Sequence, residues 1–422
     1  MEVHSSSLSL FEPAAVESGI ESVKWVQYAP MIIPKAGSSL VFNIPANTTA
    51  YTDLSKTILQ AKVKVTKADG THLASEDDAA LVNLALSSLF AQCDVSLNQR
   101  PINTSIGPNY PYKAYLDVLL NSNPHEVESV LQNELFYKDT AGSMDENGVT
   151  GGNIGHYERM LHIANSKVLV LEGPIRMDIC QQERLIINGV RLNIKLTQAD
   201  NAFRLMSSGK IPYKVDIVDA VLKLCQVHLN PGILIAQSEA LQKVPALYPV
   251  RESDVKTFNI ERGSYDWRIE DTYRGRIPND LVIALCTNEA YSGSYGKNPF
   301  NFQHFNLNYL EVTVNGIPTP CEPLKPNFKE GDYTSCYTTL FDWAKKSRGL
   351  IERKDYPEGY CIYRIALQNH TSEGLHSTVG SGNLRIALKF SEPVKENVTV
   401  ILYAKFSRVV TINDSRNIEI NL

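Results

Sequence analysis

Asp94-Val95-Ser96-Leu97-Asn98-Gln99-Arg100-Pro101 and, far downstream, Glu311-Val312-Thr313-Val314-Asn315-Gly316-Ile317-Pro318 share one pattern: acid, Val, hydroxyl, aliphatic, Asn, two free positions, Pro. Each alternates apolar and polar residues up to an Asn, so one face of a strand is apolar and the Asn tolerates the positive φ of a turn. A second pair, Lys223-Leu224-Cys225-Gln226-Val227 and Lys405-Phe406-Ser407-Arg408-Val409, occurs in the same order. One hairpin and one late strand are thus used twice, and the chain reads as two copies of one antiparallel sandwich.

The same alternation runs outward from these segments. Ala61-Lys62-Val63-Lys64-Val65 leads to Asp69-Gly70, and Leu384 to Phe390 and Val398 to Val410 repeat the pattern near the end. Leu185-Ile186-Ile187, Asn188-Gly189 and Val190 to Ile194 together predict a further hairpin. One segment breaks the rule: Tyr112, Tyr115, Leu116 and Leu119 have helical spacing before Asn123-Pro124, which predicts a helix over 112–120 inserted between strands. Between Asp139 and Gly155, the run of Gly, Asp and Asn predicts a long exposed loop. Pro231-Gly232 marks the boundary between the copies. The layout is therefore an arm over 1–37, a first sandwich over 38–231 carrying the helix and the Gly-rich loop, and a second over 232–422. In the arm, Trp25, Tyr28 and Ile32 are positioned to dock on a neighbour.

Many strands with long end loops suit a jelly roll, an immunoglobulin-like fold or a barrel. No Cys-Trp-Cys framework is present, and each copy is longer than the ~100 residues of an immunoglobulin domain. Eight strands with elaborate loops, a jelly roll, fit that length best.

Composition narrows the function classes. The 422 residues are 43% hydrophobic and 21% charged with a formal charge of −5, an ordinary globular balance without the basic block that phosphate binding requires. Direct sequence-specific nucleic-acid binding is not expected. The N-terminus has no signal-peptide pattern, and no run reaches the ~18 apolar residues of a membrane helix, so a soluble, unexported chain is expected. Cysteines at 93, 180, 225, 286, 321, 336 and 361 form no metal or redox spacing and read as reduced core residues. The Asn-x-Ser/Thr triplets at Asn47, Asn103, Asn369, Asn397 and Asn413 have no secretory context to make them meaningful.

Each residue group that could carry chemistry has a plainer reading. His156 and His162 flank Arg159 without any metal-ligand spacing and read as surface histidines; His304 lacks the paired histidine of a metal-binding cupin. Gly293-Ser294-Tyr295-Gly296-Lys297 lacks the leading Gly and trailing Ser/Thr of a phosphate loop. Ser294 and Ser381 miss the nucleophile-elbow pattern. Glu76-Asp77-Asp78 lacks the spaced ligands of a calcium loop. Tyr110, Tyr112 and Tyr115 suit either interface anchors or the core. No catalytic, cofactor or metal site is assigned, and the chain is not read as an enzyme.

In order along the chain, Tyr51-Thr52-Asp53-Leu54, Ser88-Leu89-Phe90, Asp94 to Asn98, Tyr110-Pro111-Tyr112-Lys113-Ala114-Tyr115-Leu116-Asp117-Val118-Leu119-Leu120, Gly275-Arg276-Ile277-Pro278, Asn298-Pro299-Phe300-Asn301-Phe302, Val314-Asn315-Gly316, Tyr356-Pro357-Glu358-Gly359-Tyr360 and Ile412-Asn413-Asp414-Ser415-Arg416 follow a family pattern. From about Phe11 to Ile420 the chain resembles the double jelly-roll major capsid proteins of Polinton (Maverick) elements and adintoviruses, relatives of the adenovirus and tectivirus shells. Ile365-Ala366-Leu367 departs from it, standing where relatives carry an Asp-containing strand. The resemblance implies an all-β double jelly roll, two tandem eight-stranded antiparallel β-sandwiches with short helical insertions in loops. It also implies a homotrimer with a pseudo-hexameric outline, which contacts neighbouring capsomers and a single jelly-roll penton protein and tiles an icosahedral shell around double-stranded DNA. The chain would then be a soluble intracellular protein before assembly and part of the virion capsid after it. The competing reading is a monomeric tandem jelly-roll module for glycan or protein recognition, a host-domesticated copy.

Overall fold

The computed structural model describes residues 18–32, 34, 37–74, 77–102, 106–148, 152–208, 212–319, 322–341, 349–367 and 380–421. Among the described residues, sixteen of the strands form the framework of two sandwiches. The first holds β1 (Ile20–Tyr28), β2 (Leu40–Ile44), β3 (Tyr51–Lys67), β4 (Phe90–Leu97), β5 (Arg100–Pro101), β6 (Leu169–Pro174), β7 (Leu192–Gln198) and β8 (Tyr213–Leu229). The second holds β9 (Ala246–Ile260), β10 (Asp266–Glu270), β11 (Asp280–Thr287), β12 (Leu307–Val314), β13 (Ile317–Pro318), β14 (Ile362–Ala366), β15 (Leu384–Phe390) and β16 (Val398–Ile412).

The sheets run β1-β8-β3-β6 and β2-β7-β4-β5 in the first sandwich, and β9-β16-β11-β14 and β10-β15-β12-β13 in the second. Adding eight to each label converts one order into the other. This is the double jelly roll, with both repeated sequence motifs on equivalent strands. The β4–β5 and β12–β13 hairpins turn alike, with positive φ at Asn98 and Gln99 in one and at Asn315 and Gly316 in the other. Two positive φ angles in a two-residue loop give the turn whose twist matches the flanking strands.

Among the described residues, the longer helices that interrupt the strands are α1 (Tyr110–Asn121), α2 (Ile154–Ile163) and α3 (Pro231–Leu241). The first matches the expected insertion, one turn longer. The other two begin where turn residues stand, because Asn153 caps α2 by accepting from the His156 amide and Asn230 caps α3 by accepting from the Gly232 amide. Pro231 therefore opens a linking helix; at a first helical position its missing N–H costs nothing.

Three further expectations change. The span assigned to an arm contains β1, which pairs antiparallel with β8, Trp25 opposite Cys225. Its side chains stay largely exposed at a sheet edge, so the segment carries no core-facing alternation to reveal it. Asn188-Gly189 forms a turn but not a hairpin, since the Ile186 amide and carbonyl bond Thr52 of β3 instead. The Gly-rich loop is anchored, with Asp139, Met144 and Asn153 all buried.

Candidate assembly surfaces

Helix α1 is buried all round from Tyr110 to Leu120, including Lys113 and Asp117. It lies between the rolls. Tyr115 stacks on Phe300 of the second roll with centroids 3.9 Å apart and an interplanar angle of 5°. Tyr112 stacks on Tyr291 at 5.6 Å. These tyrosines are therefore internal anchors of the seam between rolls, and the apolar core runs through it without a break.

At the helix centre, Lys113 Nζ lies 2.9 Å from Asp117 and 3.2 Å from Asp178 and donates to the Arg176 carbonyl at 2.5 Å. From the second roll, the Tyr403 hydroxyl donates to Asp117 at 2.7 Å and Lys405 Nζ reaches it at 3.0 Å. The Ser253 amide and hydroxyl donate to Asp178 at 2.7 and 2.8 Å. Burial raises the Asp117 carboxyl, but attraction to Lys113 and then Lys405 outweighs it and holds the group below the usual carboxylate range. Burial likewise opposes the charge of Lys113, and the two carboxylates more than restore it. A buried cation matched to two carboxylates and to donors from the other roll fixes the relative placement of the sandwiches, because a shifted packing would bury these charges without their partners.

A second polar hub centres on Asp139. Arg159 donates to its carboxylate at 2.7 Å and to the carbonyls of Leu81 and Tyr137, each at 2.8 Å. Asn153 donates at 2.9 Å, Asn298 of the second roll at 3.1 Å, and the Tyr360 hydroxyl donates to the Asp139 carbonyl at 2.6 Å. Asp and Asn, read in the sequence as turn formers, are here buried hydrogen-bonding partners. His156, expected at the surface, is fully buried beside this hub, and burial followed by the nearby Arg159 pulls its pKa down to about 4. His162 is exposed and pairs with the Tyr137 hydroxyl at 2.8 Å. A third tie comes from Arg416, whose guanidinium donates to Asn188 at 2.7 and 2.9 Å while its carbonyl accepts from Asn98 at 2.8 Å. The adjoining strand β17 (Ile418–Asn421) pairs with β16.

The remaining candidates are scattered. His304 stacks on Phe328 at 4.1 Å, and burial lowers its pKa. Ser294 donates to Glu289. Ser381 pairs with Arg276 in a two-residue bridge. Asp77 pairs with Lys67, Asp78 accepts from the Ser208 amide, and Glu76 lies outside the described residues. Among the described residues, Cys93, Cys180, Cys225, Cys286, Cys336 and Cys361 are buried and free, while Cys321 lies outside them; burial pushes Cys286 up to about 12, so its thiol stays protonated. Among the described residues, no three His, Cys, Asp or Glu gather as metal ligands, and no helix is long and apolar enough to cross a membrane.

Two surface features stand out. A groove of about 970 Å³ is lined by Ile20, Tyr51, Leu185, Ile233, Leu234 and Tyr248 beneath α3. Beside it, β1 exposes Val23 and Trp25 at 49% and 51%.

No family model matches the chain. In sequence it is similar to an uncharacterized protein, F54H12.2, of Caenorhabditis elegans, 22% identical over 400 residues that cover 89% of this chain and 91% of that protein. In structure it is similar to a chain of the Sputnik virophage, with a TM-score of 0.66 at 12% identity over 100% of this chain and 93% of that one. The Faustovirus major capsid protein gives 0.61 at 8% identity over 95% and 92%. The mavirus major capsid protein gives 0.54 at 9% identity over 99% and 93%. These likenesses span both rolls and the seam, and they establish the fold.

Proposed function

We propose that this chain is the major capsid protein of a Polinton-like DNA element or virus, a structural subunit whose work is done by surfaces and not by a catalytic, cofactor or metal site. Three copies form a homotrimer, and six similar rolls give it a pseudo-hexameric outline that tiles an icosahedral shell around double-stranded DNA. The observation that carries this reading is the pair of rolls with identical strand order, locked side by side through a buried seam. A fixed pair is what a near-hexagonal trimer requires of each subunit, and closure by a three-fold axis then packs one roll on the other roll of the neighbour. The viral capsid proteins of the same fold support it, and the nematode relative aligned along nearly the whole chain fits an element resident in animal genomes. Neighbouring capsomers and a single jelly-roll penton protein are the further partners, and the virion is the destination of a subunit that is soluble before assembly. We place the boundary between rolls at residue 231.

The apolar groove beneath α3 favours a second reading, a monomeric tandem jelly-roll module that recognises a glycan or protein there. Solution mass of the purified chain, followed by electron microscopy of any heavy fraction, separates the two. A trimer that forms hexagonal tiles or shells is the expected result; a monomer at high concentration overturns the capsid reading in favour of the module.

A further inference from the structure

We infer that β1, with the exposed residues that follow it, is the surface on which the second roll of the next copy packs. The inference rests on the capsid reading and adds to it the place of contact. Its basis is the equivalence of β1 and β9 within one chain. Each is the edge strand beside the long eighth strand of its roll. In the second roll that edge is covered: the Ser253 amide is capped by Asp178 at 2.7 Å, the Val255 carbonyl accepts from Asn109 at 3.4 Å, and α1 of the first roll packs on the same sheet through Tyr403 and Lys405. Val255 is accordingly buried, and the buried Tyr248 hydroxyl donates to the Leu185 carbonyl at 3.2 Å and accepts from the Ile187 amide at 3.1 Å, both of the first roll.

Among the described residues, β1 pairs with β8 alone. Val23 and Trp25 lie opposite Val227 and Cys225, on the side of the sheet away from the main core, where these two residues form a separate small apolar cluster with Tyr51 and Leu229. Ile20 at 39%, Met31 at 65% and Ile32 at 65% extend the exposed apolar surface. Together the five side chains expose on the order of 500 Å², at the upper end of what a monomer leaves bare and most of the ~800 Å² that one side of a standard interface buries. The occupant follows from the same equivalence. Besides Asp178, which follows β6, the element that covers β9 is the segment after β5 with Asn109 and α1; its counterpart after β13 is the segment of the second roll around the short helix Thr334–Thr338, which has Thr334 and Ser335 exposed. Within one chain the first roll covers β9, so the second roll of another copy is the remaining element of the same kind for β1.

The test combines solution mass, hydrogen exchange and substitution on the full chain. The wild-type protein is expected to form trimers in which the 20–28 peptide is protected, and to lose that protection on dilution into monomers. Val23→Asp with Trp25→Asp is expected to raise the concentration of half-dissociation by about tenfold or more, as for removal of a buried aromatic anchor. Because both residues are exposed in the single copy, the thermal melt of the dissociated chain should not move. Trimers whose 20–28 amides exchange as fast as in the monomer overturn the inference and leave the capsid reading standing, as do trimers that the double substitution does not weaken. A wild-type chain that stays monomeric at every concentration removes both, and the mass alone identifies that case.

Discussion

Strands β3 and β11 hold the same place in their rolls and differ in what lies over them. Along β3, Ala61, Val63 and Val65 face the core while Lys62 and Lys64 face outward, and Lys62 meets Asp219 at 3.0 Å with both side chains nearly half exposed. Along β11, every residue from Leu281 to Thr287 is buried, as is most of β16 beside it. One topology therefore carries two patterns. Alternation marks a sheet with one wet face, and a continuous apolar run marks a sheet covered on both. Here the second cover is α1, supplied by the other roll, so the run Leu281-Val282-Ile283-Ala284-Leu285-Cys286 already records a contact between halves of the chain.

The largest test of this contrast is Lys113→Met. It leaves Asp117 and Asp178 buried without their shared cation and should cost about 3–5 kcal/mol, with exchange protection lost first along β11 and β16. Lys62→Met on the wet face of β3 should stay within about 0.5 kcal/mol. Chemical denaturation of the two variants reads the difference, and equal losses would break the contrast.

Acid should separate the rolls next. The folded pKa of His156 lies near 4, below its unfolded value of 6.5, so between these limits the unfolded chain binds more protons and stability falls as pH drops through the window. The loss is on the order of 3 kcal/mol by pH 4. In the second roll, burial pushes Asp254 up to about 6, with Lys256 opposing. That group binds its proton more readily when folded, so its contribution runs the other way and improves as pH falls from 6 toward 4. Hydrogen exchange across pH 7 to 4 should show α2 loosening before β9. His156→Phe should flatten the acid limb of the melting curve, and an unchanged limb would remove His156 as its source.

The smallest effect sharpens the repeat itself. Gln99 adopts a φ of 69° where the second hairpin has Gly316 at 80°. A side chain in this region costs about 1 kcal/mol, so Gln99→Gly should stabilise by up to that amount and Gly316→Gln should destabilise by a similar one. Differential scanning calorimetry of the pair checks both signs.

What the sequence made legible was whatever depends on a strand's own period. The paired hairpins, the alternating strands and α1 are all visible in local spacing, and so the double sandwich was too. The seam was harder to read. Lys113, Asp117, Asp139 and Arg159 look like surface charge in a linear reading, because nothing local records that Tyr403, Lys405 and Asn298 will meet them. Edge strand β1 was missed for the opposite reason: its apolar residues face outward, so they mark no core. Asn153, within the run read as a loop, caps α2, and Pro231, read as a boundary, opens α3 behind the Asn230 cap.

The Lys113 cluster also bears on how such a chain can change over time. A repeat that arose from one ancestral module is in principle divisible, and recombination at the α3 junction would exchange halves between lineages. Here each half completes the ion cluster of the other, so a chimaera would need matching partners at Asp117, Asp178, Ser253, Tyr403 and Lys405 together. A half exchanged without those partners would leave charges of the cluster unmatched at the seam.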